Sequence, residues 1–297
     1  MGDGTRWRLS KHHGSGNDFL VMLDPDGERS LSGPEVRALC DRHRGVGADG
    51  FVRARLVPGT GALAMELRNA DGGEAEMSGN GIRCVVQAAV DAGLVEPGEV
   101  EVRTGAGVRT VHYRLGDRPG LGYAAVDMGP VVLGDDMRVS GVPGVRAARR
   151  VDVGNPHVVI LGSPVDPAEV ARSGARLERA VEGGANVEFV WSGPAEGELT
   201  MRVWERGVGP TLACGTGACA AAAAVHAWGE VGRRVLVHNP GGPLEVTLRE
   251  GSVELAGPTQ RVADVIVDAS VLASLAERSV TSDSSDAAIA WEVSARP

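Results

Sequence analysis

AEMSGNGIRCVVQAAV (75–90) and TLACGTGACAAAAAVH (211–226) read as two copies of one device. Each carries a short polar side chain, Ser78 or Cys214, then Gly-X-Gly, then an apolar run of helical character. The glycines fall at a helix N-terminus, where the first N–H groups lack helical partners and the dipole adds positive potential. Two such termini aimed at one spot make an anion site without a lysine or arginine, and a carboxylate is the obvious small guest. Spacing alone leaves a second reading open, that of two ordinary helix caps. Neither segment fits the dinucleotide or phosphate-loop pattern.

Outward from these segments, residues 6–12 and 18–24 read as strands joined by HGSGND. Residues 33–44 read as a helix with Pro34 in its first turn and Glu35 in the favoured acidic position. Paired strands follow at 51–57 and 63–69, then a helix at 82–92 stopped by Gly93. Strands at 99–103, 109–115 and 124–128 complete a β-rich half. The rest repeats the plan: a strand at 157–161 after GNPH, a short helix at 165–171, and strands at 186–190 and 199–205. A helix at 217–228 and strands at 234–238, 244–249 and 252–256 follow. The pattern predicts two similar α+β halves with a cleft between them. Residues 269–297 read as an appended tail, opening with a short helix at 269–278 and passing into the polar, flexible SVTSDSSD.

Composition narrows the function. A length of 297 residues suits one large domain or two ordinary ones. Aromatics are only 3%, too few for base-stacking platforms, and a net charge of -9 opposes a polyanionic partner. No nucleic-acid partner is expected. The longest apolar runs fall short of a membrane span and the first residues are polar, so no membrane association and a cytoplasmic location are expected. Cys40, Cys84, Cys214 and Cys219 show no zinc-type spacing; no metal is expected, and the thiols should be free. Cys40, Cys84 and Cys219 read as small core residues. Cys214, ahead of Gly-Thr-Gly, needs another explanation.

A carboxylate cradled by Gly79, Asn80 and Gly81 and by Gly215, Thr216 and Gly217 would hold its α-carbon between side chains 78 and 214. One group would remove a proton from one face and the other would deliver one to the opposite face. The cradle would also stabilise the enolate-like charge between those steps. A thiol, with a pKa of ~8.5 that falls near a helix N-terminus, is a credible base. An aliphatic hydroxyl is not one at neutral pH unless a partner takes its proton. No pyridoxal lysine or dinucleotide fingerprint is evident, so no cofactor is expected and acidity at carbon falls to desolvation and fixed dipoles.

KHHGSGNDF (11–19), DRHRGVGADG (41–50), RNADGGEAEMSGNGIRC (68–84), GNPH (154–157), the asparagine of ANVEF (Asn186) and WERGVGPTLACGTGACA (204–220) follow one another as blocks do in a known family. On these motifs the chain resembles the diaminopimelate epimerases, cofactor-independent isomerases of amino-acid and lysine biosynthesis. The resemblance implies two pseudo-symmetric α+β domains, each a β-sheet or barrel wrapped around a central helix. The N-terminal one would cover 1–122 with a returning strand near 262–268, and the C-terminal one 123–261. A homodimer and a small zwitterionic amino-acid substrate are also implied. In the family both cap positions are cysteines; Cys214 matches the second and Ser78 stands at the first. The resemblance further implies that Gly79, Asn80, Gly215 and Thr216 cradle the reacting carboxylate. Asn17, Asn69, Asn155, Asn186, Glu205 and Arg206 would grip the far end of the substrate, Glu205 meeting an ammonium and Arg206 a carboxylate. His157 and Glu205 would be the polar partners of the two catalytic positions. Position 50 is Gly where the family often has Gln, so one pocket contact is expected to be absent.

Ser78 admits three accounts: an exchanged cysteine that silences the enzyme, an epimerase with a hydroxyl or hydroxyl-held water on one face, or a one-base dehydratase of β-hydroxy amino acids using Cys214. Epimerisation of another polar amino acid and non-catalytic amino-acid binding stay open beside them.

Overall fold

The computed structural model describes residues 6–282. The chain runs β1 (Arg6–Gly14), β2 (Asn17–Leu23), α1 (Gly33–Cys40), β3 (Gly50–Leu56), β4 (Leu63–Asn69), β5 (Glu74–Ala75), α2 (Gly79–Asp91), β6 (Gly98–Thr104), β7 (Gly107–Leu115) and β8 (Leu121–Asp127). It continues as β9 (Val132–Asp136), β10 (Ala147–Asp152), β11 (Pro156–Leu161), α3 (Pro167–Ala180), β12 (Asn186–Ser192), β13 (Leu199–Glu205) and β14 (Gly209–Thr211). Last come α4 (Gly215–Ala227), β15 (Arg234–Asn239), β16 (Gly242–Leu248), β17 (Val253–Asp268) and α5 (Ala269–Ser282).

Strand pairing writes the duplication out. In the first half β1–β2 is antiparallel, β2–β3 parallel, β3–β4 antiparallel, β4–β6 parallel and β6–β7 antiparallel. The second half repeats the series with β10–β11, β11–β12, β12–β13, β13–β15 and β15–β16. β7 pairs β8, β8 pairs the first part of β17, and the last part of β17 pairs β1, which closes a barrel. β17 also pairs β16 of the second half, so one strand serves both sheets. The chain after β8 crosses the other way: Met128 and Gly129 bond Val253 and lead into β9, which pairs β10. The fold is thus α+β, with a β-sheet wound around α2 in one half and around α4 in the other.

Each central helix is buried because sheet surrounds it. Ile82, Cys84, Val85, Val86 and Ala89 of α2 and Ala218, Cys219, Ala220, Ala221, Ala222, Ala224 and Val225 of α4 are buried in one continuous core. Alanine dominates α4 because small side chains let the enclosing strands approach a strong helix former. The turn between β1 and β2 is only Ser15-Gly16, both with positive φ (51° and 82°), the two-residue hairpin geometry. The Ser15 carbonyl would lie 1.9 Å from a Cβ on Gly241, which ties this hairpin tip to the β15–β16 turn of the other half.

Several elements differ from the sequence expectation. α1 stops at Cys40, not 44, because the Asp41 carboxylate accepts from the His43 and Arg44 amides and so competes with the helix. α3 is longer than 165–171, starting after the Asp166 cap and burying only Val170, Ser173, Gly174 and Leu177. That narrow face hides its periodicity. α2 and α4 begin at Gly79 and Gly215, so the glycine pairs lie inside the first turn. β17 is one strand of 16 residues despite Gly257-Pro258 in its middle. Where an appended tail was expected, α5 packs on α1 with Leu272 fully buried. Residues 283–297, including the end of SVTSDSSD, lie outside the described residues.

Candidate active site

Ser78 and Cys214 occupy equivalent cap positions. Ser78 has φ -140° and ψ 121°, Cys214 φ -123° and ψ 117°, both extended. Each side chain accepts from the third amide of its helix: Ser78 Oγ from Gly81 N at 3.0 Å, Cys214 Sγ from Gly217 N at 3.4 Å. The helix starts face each other, since a Cβ added to Gly215 would lie 3.4 Å from Gly79 Cα. Leu255 of β17 is wedged against both, with Cδ2 2.7 Å from a Cβ built on Gly79 and 2.8 Å from one built on Gly215. A side chain at either position would displace Leu255, which packs against both termini.

A cavity of about 110 Å³ lies between them, lined by Ser78, Gly79, Asn80, Cys214, Gly215 and Thr216 together with Asn17, Asn69, Asn155 and Glu205. It has room for several waters, and so for an amino-acid head group. An outer cavity of about 410 Å³ shares Asn69, Asn155, Glu205 and Thr216 and adds Arg206 and Arg109. The inner chamber therefore opens into a larger one where a distal charged group would fit.

The surroundings of the two caps differ. Near Ser78, Asn80 donates to Asn17 Oδ1 at 3.1 Å and to the Ala213 carbonyl at 3.3 Å. Arg83, fully buried, donates to Asn80 Oδ1 at 2.7 Å and to the Gly79 carbonyl at 3.1 Å. Burial lowers the Arg83 pKa to about 10, and no carboxylate contacts it among the described residues. Near Cys214 the environment is acidic. Burial first, then Glu205 and Glu188, push its thiol well above the ordinary range; hydrogen bonds from Thr216 and Gly217 oppose this. A helix N-terminus alone suggested a lowered thiol pKa, so desolvation and two carboxylates outweigh the dipole here. Burial also raises Glu205 to about 7, helped by Glu188 and Asp49 and opposed by the Thr211 hydroxyl and His157.

Ten of the residues singled out from sequence line the inner cavity. Arg206 lies in the outer one, just past the end of β13, where the chain turns at Gly207 (φ 73°). Its guanidinium donates to the Gly183 carbonyl at 3.3 Å. His157 and Asn186 lie behind the wall. His157 is 1% exposed, with Nδ1 2.7 Å from Glu188 Oε1 and Nε2 2.9 Å from Asn155 Oδ1. Asn186 accepts from the Arg206 amide at 2.9 Å and so holds the backbone that aims Glu205. Gly50 is absent from the lining; a Cβ there would meet the Arg68 carbonyl at 2.8 Å.

Comparison with known proteins gives this arrangement a family. The family model for diaminopimelate epimerase matches residues 9–134 and 149–262. The chain belongs to the diaminopimelate epimerase family. It is 43% identical to the diaminopimelate epimerase of Thermobifida fusca, over 89% of this chain and 99% of that protein. It is 38% identical to that of Streptomyces coelicolor, over 88% and 95%. Among solved structures, a hydroxyproline epimerase from Agrobacterium vitis superposes with a TM-score of 0.71 at 18% identity, over 91% of this chain and 94% of that one, a likeness of fold. The chain is accordingly an isomerase, an epimerase that works without pyridoxal phosphate. Among the described residues no helix is long and apolar enough to cross a membrane.

Two carboxylates of the candidate site escape a reading of the sequence. Glu188 interrupts the apolar strand NVEFVWS and is fully buried. The signal was an acid two residues past Asn186 in a strand that pairs in parallel with the one bearing His157. Asp49 lines the inner cavity and accepts from Asn17 Nδ2 at 2.8 Å, while Arg42 bonds its other oxygen at 2.6 Å. It sits in a glycine-rich loop where an acid is usually solvated.

Proposed function

We propose that the chain interconverts LL- and meso-diaminopimelate, with Cys214 on one face of the α-carbon and Ser78 on the other. The observation that carries this reading is the pair of facing helix caps on one small cavity. A carboxylate between the termini would take N–H groups of both first turns, and its α-carbon would lie between the cap side chains. Asn155, Asn69, Glu205 and Arg206 around the outer cavity suit the distal ammonium and carboxylate. As a thiolate, Cys214 abstracts the α-proton. The Ser78 hydroxyl, or a water it holds, returns one to the opposite face, because an alcohol protonates a strong carbanion more readily than it deprotonates carbon. Rates in the two directions should then be limited by different steps.

The test is incubation with pure LL-diaminopimelate in deuterated water, with stereochemistry and α-hydrogen exchange followed by NMR. Inversion with solvent hydrogen at the α-carbon is expected, rising roughly 100-fold in Ser78→Cys. Exchange without inversion would remove the two-sided mechanism, and a 2-oxo acid product would replace it with one-base elimination. We also propose that two copies pair, with Val262 and Ile266 of β17, both more than half exposed, in the contact.

A further inference from the structure

One wall of the inner chamber presents an acceptor, and the carboxylate that sets its polarity belongs to neither cap. The family resemblance puts Asn17 at the far end of the substrate. In the structure Asn17 lines the inner cavity and not the outer one, with Asp49 beside it. β2 and β3 run parallel with Phe19 opposite Gly50, which brings Asn17, at the start of β2, next to Asp49, just ahead of β3. The Asp49 amide closes the junction on the Asp18 carbonyl at 2.9 Å.

Charges at both ends of a short series of bonds decide how its amides point. Arg42 Nη2 donates to Asp49 Oδ1 at 2.6 Å. Asp49 Oδ2 accepts from Asn17 Nδ2 at 2.8 Å and from the Asp18 amide at 3.2 Å. Asn17 Oδ1 accepts from Asn80 Nδ2 at 3.1 Å, and Asn80 Oδ1 accepts from Arg83 Nη2 at 2.7 Å. A carboxylate only accepts and a guanidinium only donates, so neither asparagine can turn over without setting like against like. Both Asn80 hydrogens go to protein oxygens, on Asn17 and on Ala213. The Asn17 oxygen keeps a lone pair. The wall beside the cradle therefore offers an acceptor, while the first turns of α2 and α4 offer donors. An amino-acid head group has one end for each, its carboxylate for the helix starts and its α-ammonium for the wall.

We propose that Asp49, held by Arg42, is a positioning residue that locks the Asn17 oxygen toward the α-ammonium and so fixes which way round the head group enters. The proposal rests on the reading of an amino-acid head group between the caps. Asp49→Asn exposes the lock. Arg42 accepts nothing, so the new side chain must give it the amide oxygen, and the amide nitrogen then faces the Asp18 N–H and the Asn17 nitrogen. Asn17 turns over, and its oxygen leaves the ammonium. Removing the guanidinium as well frees the new amide to turn its oxygen back to Asn17 and the Asp18 N–H.

The experiment compares the native full chain with Asp49→Asn, Arg42→Met and Arg42→Met/Asp49→Asn, each checked for folding by thermal unfolding. It reads α-hydrogen exchange of diaminopimelate in deuterated water, with pimelate as a competitive inhibitor. Pimelate has both carboxylates and neither ammonium. Asp49→Asn should raise KM about 30-fold, the scale of a lost hydrogen bond to a charged group, with a smaller change in kcat. Pimelate should bind Asp49→Asn as it binds the native chain, because the cradle is untouched. In the Arg42→Met background the same substitution should cost no more than about threefold. Equal weakening of pimelate, or an undiminished cost in Arg42→Met, would overturn the proposal. If Asp49→Asn alone fails to fold, the comparison within Arg42→Met decides. NMR of the nitrogen-15 side-chain amide of Asn17 reads the lock without substrate. Its proton bonded to Asp49 should lie downfield in the native chain, move upfield in Asp49→Asn and return in the double variant. A native chain that exchanges no diaminopimelate would remove the substrate reading, and the amide signals would then decide the lock; no shift between native and Asp49→Asn would overturn it.

Discussion

The starts of α2 and α4 have nearly the same backbone and opposite chemistry around it. Each is capped by a short side chain that accepts from the third amide, and each opens with glycine against Leu255. Five residues past the cap the first helix places Arg83, a buried cation, and the second places Cys219, a small neutral thiol. Around the second cap stand Glu188 and Glu205; around the first stand Asn17 and Asn80. A duplicated device has thus been given one cationic and one anionic copy. The lesson is that helix geometry supplies the anion cradle twice, while the charge behind each cap decides which protonation state it favours.

The largest expected effect tests whether the anionic copy does the chemistry. Cys214→Ala should lower α-hydrogen exchange of diaminopimelate in deuterated water by about 1000-fold, the scale of a lost general base. Retained exchange would move the chemistry away from α4.

How much of this contrast was readable in advance follows from which forces are local. The caps, the glycines and both central helices are local features, so their residues carry them openly. Ser78, Cys214, Asn80 and Thr216 were identifiable because helix-start chemistry depends on a few neighbouring positions. Glu188 was not, since its meaning comes from His157 on an adjacent strand. Strand β17 was read as separate pieces because Gly257-Pro258 is a turn signal on its own. Proline is tolerated there since pairing to β8, β16 and β1 overrides the local preference. β5, β9 and β14 are too short or too exposed to show a period.

A smaller effect probes the cationic copy. A thiol introduced as Ser78→Cys should react with iodoacetamide at lower pH than Cys214, by about tenfold in rate at neutral pH. Adding Arg83→Met should erase that advantage, because the guanidinium on the Gly79 carbonyl is a buried positive charge at the start of α2. Equal reactivity of the two thiols would break the charge contrast and leave only the shared geometry.

The smallest effect concerns stability. Folded Glu205 titrates at about 7 against an ordinary 4.5, so between those values the folded chain holds the extra proton. Its contribution makes stability fall as pH rises through that window. Glu205→Gln should flatten this slope in urea unfolding measured across the window. An unchanged slope would mean that the acidic copy's strain resides elsewhere.

Because β17 is shared, with its first part in one sheet and its last part sealing the other, neither half owns a complete wall. Cutting the gene between the repeats would leave the first product without the strand that seals β1. A chain made of that unit alone would have to borrow the stave from a second molecule; here the exchange is a crossing within one chain.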